Sequence, residues 1–261
     1  MHFMGKIGKQ FEELAQIVER LRAPDGCPWD LEQTHESLLP YFLEEAYELI
    51  ESVDEKNWDT LKEELGDILL HVVFQASIAE EDGKFKLEES LKRVNEKLVN
   101  RHPHVFGDAQ ADAVFHAKQN WETAKHKEKG RKSRLDGVPN NLPALVRAQR
   151  LQQKASYAGF DWDEVEQVWD KVHEEILELK EAQSNNDKGH ITEEIGDVLF
   201  SIVNLARYLE IPAEDALRGT NKKFTSRFSQ VEEGIKAQGK ELEDASLEEM
   251  DALWNEAKKK E

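Results

Sequence analysis

The sequence predicts an all-α fold made of two tandem-duplicated helical bundles, and three observations carry that expectation. Charged residues make up 34% and hydrophobic residues 39% of the 261 positions, with only 7 Pro and 14 Gly. This balance suits amphipathic helices with solvated outer faces, not a turn-dense β fold. Apolar residues recur at the helical period, as in Leu65, Ile68, Leu69, Val72, Val73 and Ala76, and no segment alternates as a strand bounded by hairpin turns. Finally, short blocks recur in one order along the chain, which marks an internal repeat.

The opening stretch, Met1 to Gln10, lacks the apolar run of a signal peptide. The block Cys27-Pro28-Trp29-Asp30 then faces Phe160-Asp161-Trp162-Asp163 of the second half. Cys27 is the one cysteine, so no intramolecular disulfide is possible, and no base lies beside it in sequence to make it a nucleophile. Glu44-Glu45-Ala46-Tyr47-Glu48-Leu49 returns as Glu174-Glu175-Ile176-Leu177-Glu178-Leu179. At the same offset, Glu63-Glu64-Leu65-Gly66-Asp67 returns as Glu193-Glu194-Ile195-Gly196-Asp197. The apolar stripe that follows Asp67 has its copy in Ile195, Val198, Leu199, Ile202, Val203 and Ala206. A glycine inside each of these helices costs about 1 kcal/mol against alanine, so both copies suggest close approach by another backbone.

Asn95-Glu96-Lys97 and Arg101 match Asn221-Lys222-Lys223 and Arg227, and Trp121 and Lys125 match Trp254 and Lys258. The pair His102 and His104, separated by Pro103, reads as capping or packing, not as a metal site. Between the halves, a basic stretch from His126 to Arg134 and the turn-forming run Asp136 to Asn141 read as a linker. Leu142-Pro143 then opens a helix in which Leu145, Ala148, Leu151 and Gln152 share a face. The expected domains are residues 1–135 and 136–261, each a bundle that needs the other half or a second chain to cover its apolar face.

With 54 acidic against 35 basic residues the formal net charge is −19. Such a surface repels nucleic acid, and a phosphorylated substrate needs metal ions and local Lys/Arg to approach it. No stretch reaches the roughly 20 apolar residues of a membrane span. A cytoplasmic protein is expected.

The acidic residues supply a candidate metal site. Glu175 and Glu178 lie three residues apart, as do Glu194 and Asp197, so each pair shares one side of its helix. Both pairs flank an apolar stripe, and packing the two helices by those stripes brings four carboxylates to one seam. Unpaired, they would raise one another's pKa. A hard divalent cation removes that conflict, and oxygen-only ligands point to Mg²⁺ or Mn²⁺. Glu174 stands one turn before Glu178 and is an alternative to Glu175 as ligand. The first half repeats the set as Glu45, Glu48, Glu64 and Asp67. Lys223 and Arg227 share a helical face suited to phosphate oxygens, and Trp254 with Lys258 suits a base and a phosphate. Lys97, Arg101, Trp121 and Lys125 are their counterparts.

These residues resemble the MazG family of nucleoside triphosphate pyrophosphohydrolases. The resemblance runs from Gly26-Cys27-Pro28-Trp29-Asp30 through Arg101-His102-Pro103-His104-Val105-Phe106 to Gly159-Phe160-Asp161-Trp162, and rests on EExxE followed by ExxD, present twice. It implies an all-α, Mg²⁺-dependent enzyme, usually a homodimer, that cuts nucleoside triphosphates between the α- and β-phosphates to give monophosphate and pyrophosphate. It also implies that the C-terminal half carries the activity. By position, Glu175, Glu178, Glu194 and Asp197 become the metal ligands, and Lys223, Arg227, Trp254 and Lys258 the nucleotide contacts. The family pattern has a Lys four residues before the ExxD glutamate, where this chain has His190, with Lys188 close by. The mechanism expected is attack of water at the α-phosphorus. Glu174 is the candidate to take the water proton, with Glu175 and Glu178 beside it.

Broad base specificity is expected, a narrow one such as dUTP being the variant within the same chemistry. The alternatives outside it are a non-catalytic nucleotide-binding sensor or interaction module and a redox di-metal bundle. The last lacks the Glu-x-x-His pairs that such bundles use.

Overall fold

The computed structural model describes residues 2–107, 121–123, 125 and 132–260. Part of the basic linker stretch, residues 126–131, lies outside the described residues. The described residues form helices and turns with no strand among them, in agreement with the all-α expectation. The chain divides into two compact units, one up to residue 111 and one from residue 112.

The first unit contains α1 (His2–Leu21), α2 (Pro28–Leu31), α3 (Leu39–Glu55), α4 (Trp58–Glu81), α5 (Leu87–Arg101) and α6 (Pro103–Phe106). Its main packing is α3 along α4, with α1 laid on α4. Val18, Leu38, Val73, Phe74 and Ile78 form the buried centre, rimmed by Phe11, Leu14, Ala15, Leu70 and Leu87. Burying each large side chain of this kind contributes about 1.5–3 kcal/mol.

The second unit contains α7 (Ala144–Tyr157), α8 (Val165–Ser184), α9 (Lys188–Tyr208), α10 (Ala213–Ala237), a 3₁₀ turn (Leu242–Asp244) and α11 (Leu247–Lys259). Helix α8 packs along α9, α7 packs on α9, and α10 and α11 form a hairpin. Val168, Val172 and Leu205 are its buried apolar cluster, with Val165, Ile176 and Tyr208 against them. At Gly234 the hairpin closes tightly: a Cβ there would stand 2.7 Å from Leu253 Cδ2.

The duplication is visible in the backbone as well as in the residues. Helix α3 ends at Glu55 and α4 starts at Trp58; α8 ends at Ser184 and α9 starts at Lys188. Connections this short force antiparallel neighbours. Each turn uses one left-handed residue, Lys56 at φ 56° and Asn186 at φ 57°. Each is followed by a side-chain cap, worth about 1 kcal/mol. Asn57 Oδ1 accepts from the Thr60 amide at 3.3 Å, and Asp187 Oδ1 from the Gly189 amide at 3.0 Å. The carboxylate-bearing helices are thereby paired in the same way twice.

The apolar stripes are only partly covered. Leu65 and Leu69 are 50% and 45% exposed, and Ile195 and Leu199 are 47% and 53% exposed. Helices α4 and α9 use Val73, Phe74, Ala76, Val203 and Leu205 for the core and leave Leu65, Leu69, Val72, Ile195, Leu199 and Ile202 exposed. The close backbone approach expected at Gly66 and Gly196 is not made within the described chain. A Cβ at either would meet nothing within 4 Å.

Candidate active site

In the second unit, α8 carries Glu174, Glu175 and Glu178 and α9 carries Glu194 and Asp197. The antiparallel pairing brings Glu175, Glu194 and Asp197 together, each offering a carboxylate oxygen within 4.8 Å of the others. Glu175 and Glu194 are buried and Asp197 is exposed. Glu178, one turn along, has its carboxyl pushed above the ordinary glutamate range. Loss of solvent is the main cause, followed by the charge of Glu175, with Glu174 and Glu194 adding to it and Lys171 opposing. Glu194 Oε1 lies 2.8 Å from His190 Nε2, while its Oε2 is buried without a hydrogen-bond partner. An orphaned, buried oxygen on a carboxylate that is clustered with two others is costly unless a cation sits there. All-oxygen donors so placed suit a hard divalent ion.

Lys171 is a site residue that the acidic motif alone does not reveal. Its ammonium lies 2.8 Å from Glu174 Oε1 and 2.7 Å from Glu175 Oε1, and these bonds hold its pKa well above the usual lysine value. The signal was a Lys one turn before EExxE, where the first half has Tyr41. Glu174 is thus turned to Lys171, while Glu175 joins the carboxylate cluster. His190, at the position where a phosphate-binding Lys was expected, bonds Glu194 instead.

The first unit repeats the cluster with Glu45, Glu64 and Asp67, again within 4.8 Å. Glu64 is pushed upward by burial first and then by a hydrogen bond with Glu45, and Glu48 by burial and then by the charge of Glu64. The cationic and aromatic sets are distributed differently. On the α10–α11 hairpin, the Arg227 guanidinium lies over Trp254, 5.5 Å from its ring centre, and Phe224 packs on the same ring at 5.2 Å. Lys223 and Lys258 are exposed on that hairpin. In the first unit Lys97 is half-buried on α5, and Arg101 is 3% exposed. Trp121 and Lys125 belong to the second unit. Between them Glu122 bonds Lys154 at 3.0 Å and approaches Arg150 at 3.5 Å and Lys125 at 3.7 Å. The structure therefore gathers three of the four acidic residues in each half, leaving Glu48 and Glu178 outside the clusters, pairs Arg227 with Trp254 in the second, and divides the first half's cationic set between two units.

A cavity of about 320 Å³ opens beside the second cluster, with Glu175, Asp197 and Lys171 at one end. Its remaining wall is largely aromatic and aliphatic, including Phe160, Trp162 and Phe200. Four carboxylates, a lysine and an adjoining apolar cavity can hold a cation, an anionic group bridged by it and a flat apolar body attached to that group.

Comparison with known proteins agrees with this chemistry. Residues 33–106 and 163–232 each match the MazG nucleotide pyrophosphohydrolase domain. The chain is 50% identical over 257 residues to the nucleoside triphosphate pyrophosphohydrolase/pyrophosphatase MazG of Thermotoga maritima, covering 98% of both chains. It is 43% identical over 258 residues to the nucleoside triphosphate pyrophosphohydrolase of Escherichia coli K12, covering 97% of this chain and 98% of that one. An uncharacterized Bacillus subtilis protein, YabN, is 48% identical over 255 residues, covering 97% of this chain and 52% of its own length.

Proposed function

The chain belongs to the MazG nucleotide pyrophosphohydrolase family and is a hydrolase of that class, and from that premise we propose a Mg²⁺-dependent reaction in its second half. Nucleoside triphosphates of broad base specificity are split between the α- and β-phosphates to monophosphate and pyrophosphate. The observation that supports this most is the convergence of Glu175, Glu194 and Asp197 beside a cavity that Lys171 also lines. Together with Glu178 these carboxylates are the residues that would hold Mg²⁺, with Mn²⁺ an acceptable replacement. When bound, the cation supplies charge neutralisation for the triphosphate and lowers the pKa of an attacking water.

The chain's own groups do the rest. Lys171 holds Glu174 and Glu175 in place and adds a positive charge at the phosphate end. Glu174, exposed and outside the three-carboxylate cluster, is the group we assign to accept the proton of the attacking water. Lys223, Arg227 and Lys258 supply the positive charge that phosphates need on this acidic protein, and Trp254 an aromatic face. A homodimer is supported by the exposed stretch of the α9 stripe and by open space at Gly196. No helix among the described residues is long and apolar enough to cross a membrane. The test is a pyrophosphate-release assay with the common NTPs and dNTPs, with Mg²⁺ and with EDTA. Release of pyrophosphate and monophosphate from most of them, abolished by EDTA, is the expected result; cleavage at the β–γ bond or turnover in EDTA overturns the reading.

A second reading applies to the first half, as a nucleotide-binding module without turnover. The burial of Arg101 and the placement of Trp121 and Lys125 in the other unit favour it. A Glu48→Ala/Glu64→Ala chain should then keep kcat within about twofold of wild type and lose one class of nucleotide site by calorimetry. A fall in kcat matching the lost site would assign catalysis to both halves.

A further inference from the structure

The wall of the cavity beside Glu175 and Asp197 takes in a residue from before the expected domain boundary: Leu135 lines it together with Leu151 and Ala155 of α7. Leu151 and Ala155 are four residues apart on the side of α7 that faces the cavity. Arg150 and Lys154 keep the same spacing one residue earlier, so a cationic row runs beside the apolar one. Lys154 is 6% exposed. Its ammonium donates to Glu122 Oε2 at 3.0 Å and to the Arg134 carbonyl at 3.3 Å. One buried charge thus fastens two separate stretches of chain to α7. Arg150 at 3.5 Å and Lys125 at 3.7 Å add to the hold on Glu122. Burial pushes the Glu122 carboxyl up, but the Lys154 hydrogen bond and the charges of Lys125, Lys154 and Arg150 outweigh it and keep the group below the ordinary glutamate range. The turn after Arg134 is closed by its own bonds. The Lys132 and Ser133 amides both donate to Asp136 Oδ2 at 3.0 Å, and the Leu135 amide donates to Ser133 Oγ at 3.2 Å. Leu135 is carried on that turn, and Lys154 attaches the turn to α7.

We propose that Lys154 and Glu122 are positioning residues for the hydrolase reaction: they strap the segment that precedes the second half onto α7 and so hold Leu135 as a wall of the active-site cavity. This rests on the hydrolase reading above and adds residues outside both the carboxylate cluster and the cationic hairpin. A buried lysine carries a desolvation cost that an apolar side chain of similar volume does not. At the offset that sets Cys27 opposite Phe160, the first half has Ile17 and Leu21 where the second has Arg150 and Lys154. The apolar pair stands in the half assigned no turnover, and the ionic pair in the half assigned the reaction. What the ionic pair adds is direction. Hydrophobic contact is non-directional, whereas charge-assisted bonds from one ammonium to two acceptors fix the register of the strap along the helix. Released from that register, Leu135 leaves one side of the cavity open to water. The apolar part of a bound nucleotide then loses contact there, while phosphates held at the carboxylate end do not.

The test uses the full chain with Mg²⁺ and compares Lys154→Met, Leu135→Ala and the two together. Pyrophosphate release from UTP gives kcat and KM, and calorimetry gives Kd for inorganic tripolyphosphate, which has phosphates and no apolar part. Lys154→Met should raise KM about tenfold and leave kcat within about twofold of wild type, the pattern of lost ground-state binding. Its Kd for tripolyphosphate should not change. Leu135→Ala should raise KM by about three- to tenfold. Because Lys154 acts through Leu135, the double variant should be no worse than Lys154→Met alone. Lys154→Arg keeps the charge and has donors for both acceptors, so it should restore KM. Should Lys154→Met not fold, Glu122→Gln takes its place in the cycle. A lowered Tm with unchanged KM would reduce the network to a structural ion pair and overturn the proposal. So would KM effects that add in the double variant, or an equal loss of tripolyphosphate. If wild type releases no pyrophosphate, the hydrolase reading fails by itself; Kd for the α,β-imido analogue of UTP then replaces KM, and the same pattern across the variants still judges the strap.

Discussion

Glu194→Gln is expected to lower kcat for pyrophosphate release by about 10³-fold or more, because several kcal/mol of transition-state stabilisation would pass through the metal that this carboxylate is proposed to hold. The same change should leave the Mg²⁺-free protein as stable as wild type or more so. Glu194 is buried, with one oxygen on His190 and the other unpartnered, and Glu175 and Asp197 close by. In the absence of a cation its charge is opposed from two sides, and an amide of the same shape removes that repulsion. Stability gained and activity lost at one position is the mark of a residue kept for function. Asp197→Ala should show a comparable loss of turnover with little effect on folding, since Asp197 is exposed. Steady-state kinetics and thermal unfolding on the same samples check both parts. A Glu194→Gln protein that retains near-wild-type kcat would remove the carboxylate cluster from the mechanism.

The acidic cluster was legible in the sequence because it obeys local rules twice over. Spacings of three fix a common helix face, and the recurrence of EExxE and ExxD at one offset removes the accident that a single acidic helix allows. The all-α architecture followed from the same periodicity. What the sequence could not convey depended on tertiary placement. Gln152 was visible only as a polar residue on an otherwise apolar face; its buried, unpaired oxygen appears once α7 lies on α9. Trp121 and Lys125 align with Trp254 and Lys258, and the repeat assigns them to the first half. Yet Glu122 ties that segment to Arg150 and Lys154 of α7, since a repeat records ancestry and not which surface offers the complementary charge. The stripes on α4 and α9 read as core along their whole length, but a two-helix pair can cover only part of a stripe that wide.

Mg²⁺ should stabilise this protein strongly at neutral pH and progressively less as pH falls through the carboxylate range. Glu178, Glu48 and Glu64 all have carboxyls above the ordinary range, each mainly through loss of solvent and then through neighbouring carboxylates. A carboxyl raised in this way binds its proton more tightly in the folded chain than in the unfolded one. Its effect favours folding on the acid side, and that contribution is lost as pH rises through the raised value. Above it, the metal-free folded state carries the full repulsion of both clusters, and a divalent cation removes it. Below it, protons already neutralise the carboxyls and compete with the cation for the same oxygens. At a metal concentration 100 times Kd, binding contributes about 2.7 kcal/mol, or a rise in Tm of about 5–10 °C for a chain of this size. That rise should appear at pH 7.5 and shrink towards zero as pH falls through the carboxylate range, read by thermal unfolding with Mg²⁺ and with EDTA. In Glu194→Gln the shift at pH 7.5 should become smaller, and the part that remains belongs to the first-half cluster. A Mg²⁺ shift that stays the same size as pH falls from 7.5 through the carboxylate range would mean that the cation is not held by these carboxyls, because protons compete with it for their oxygens.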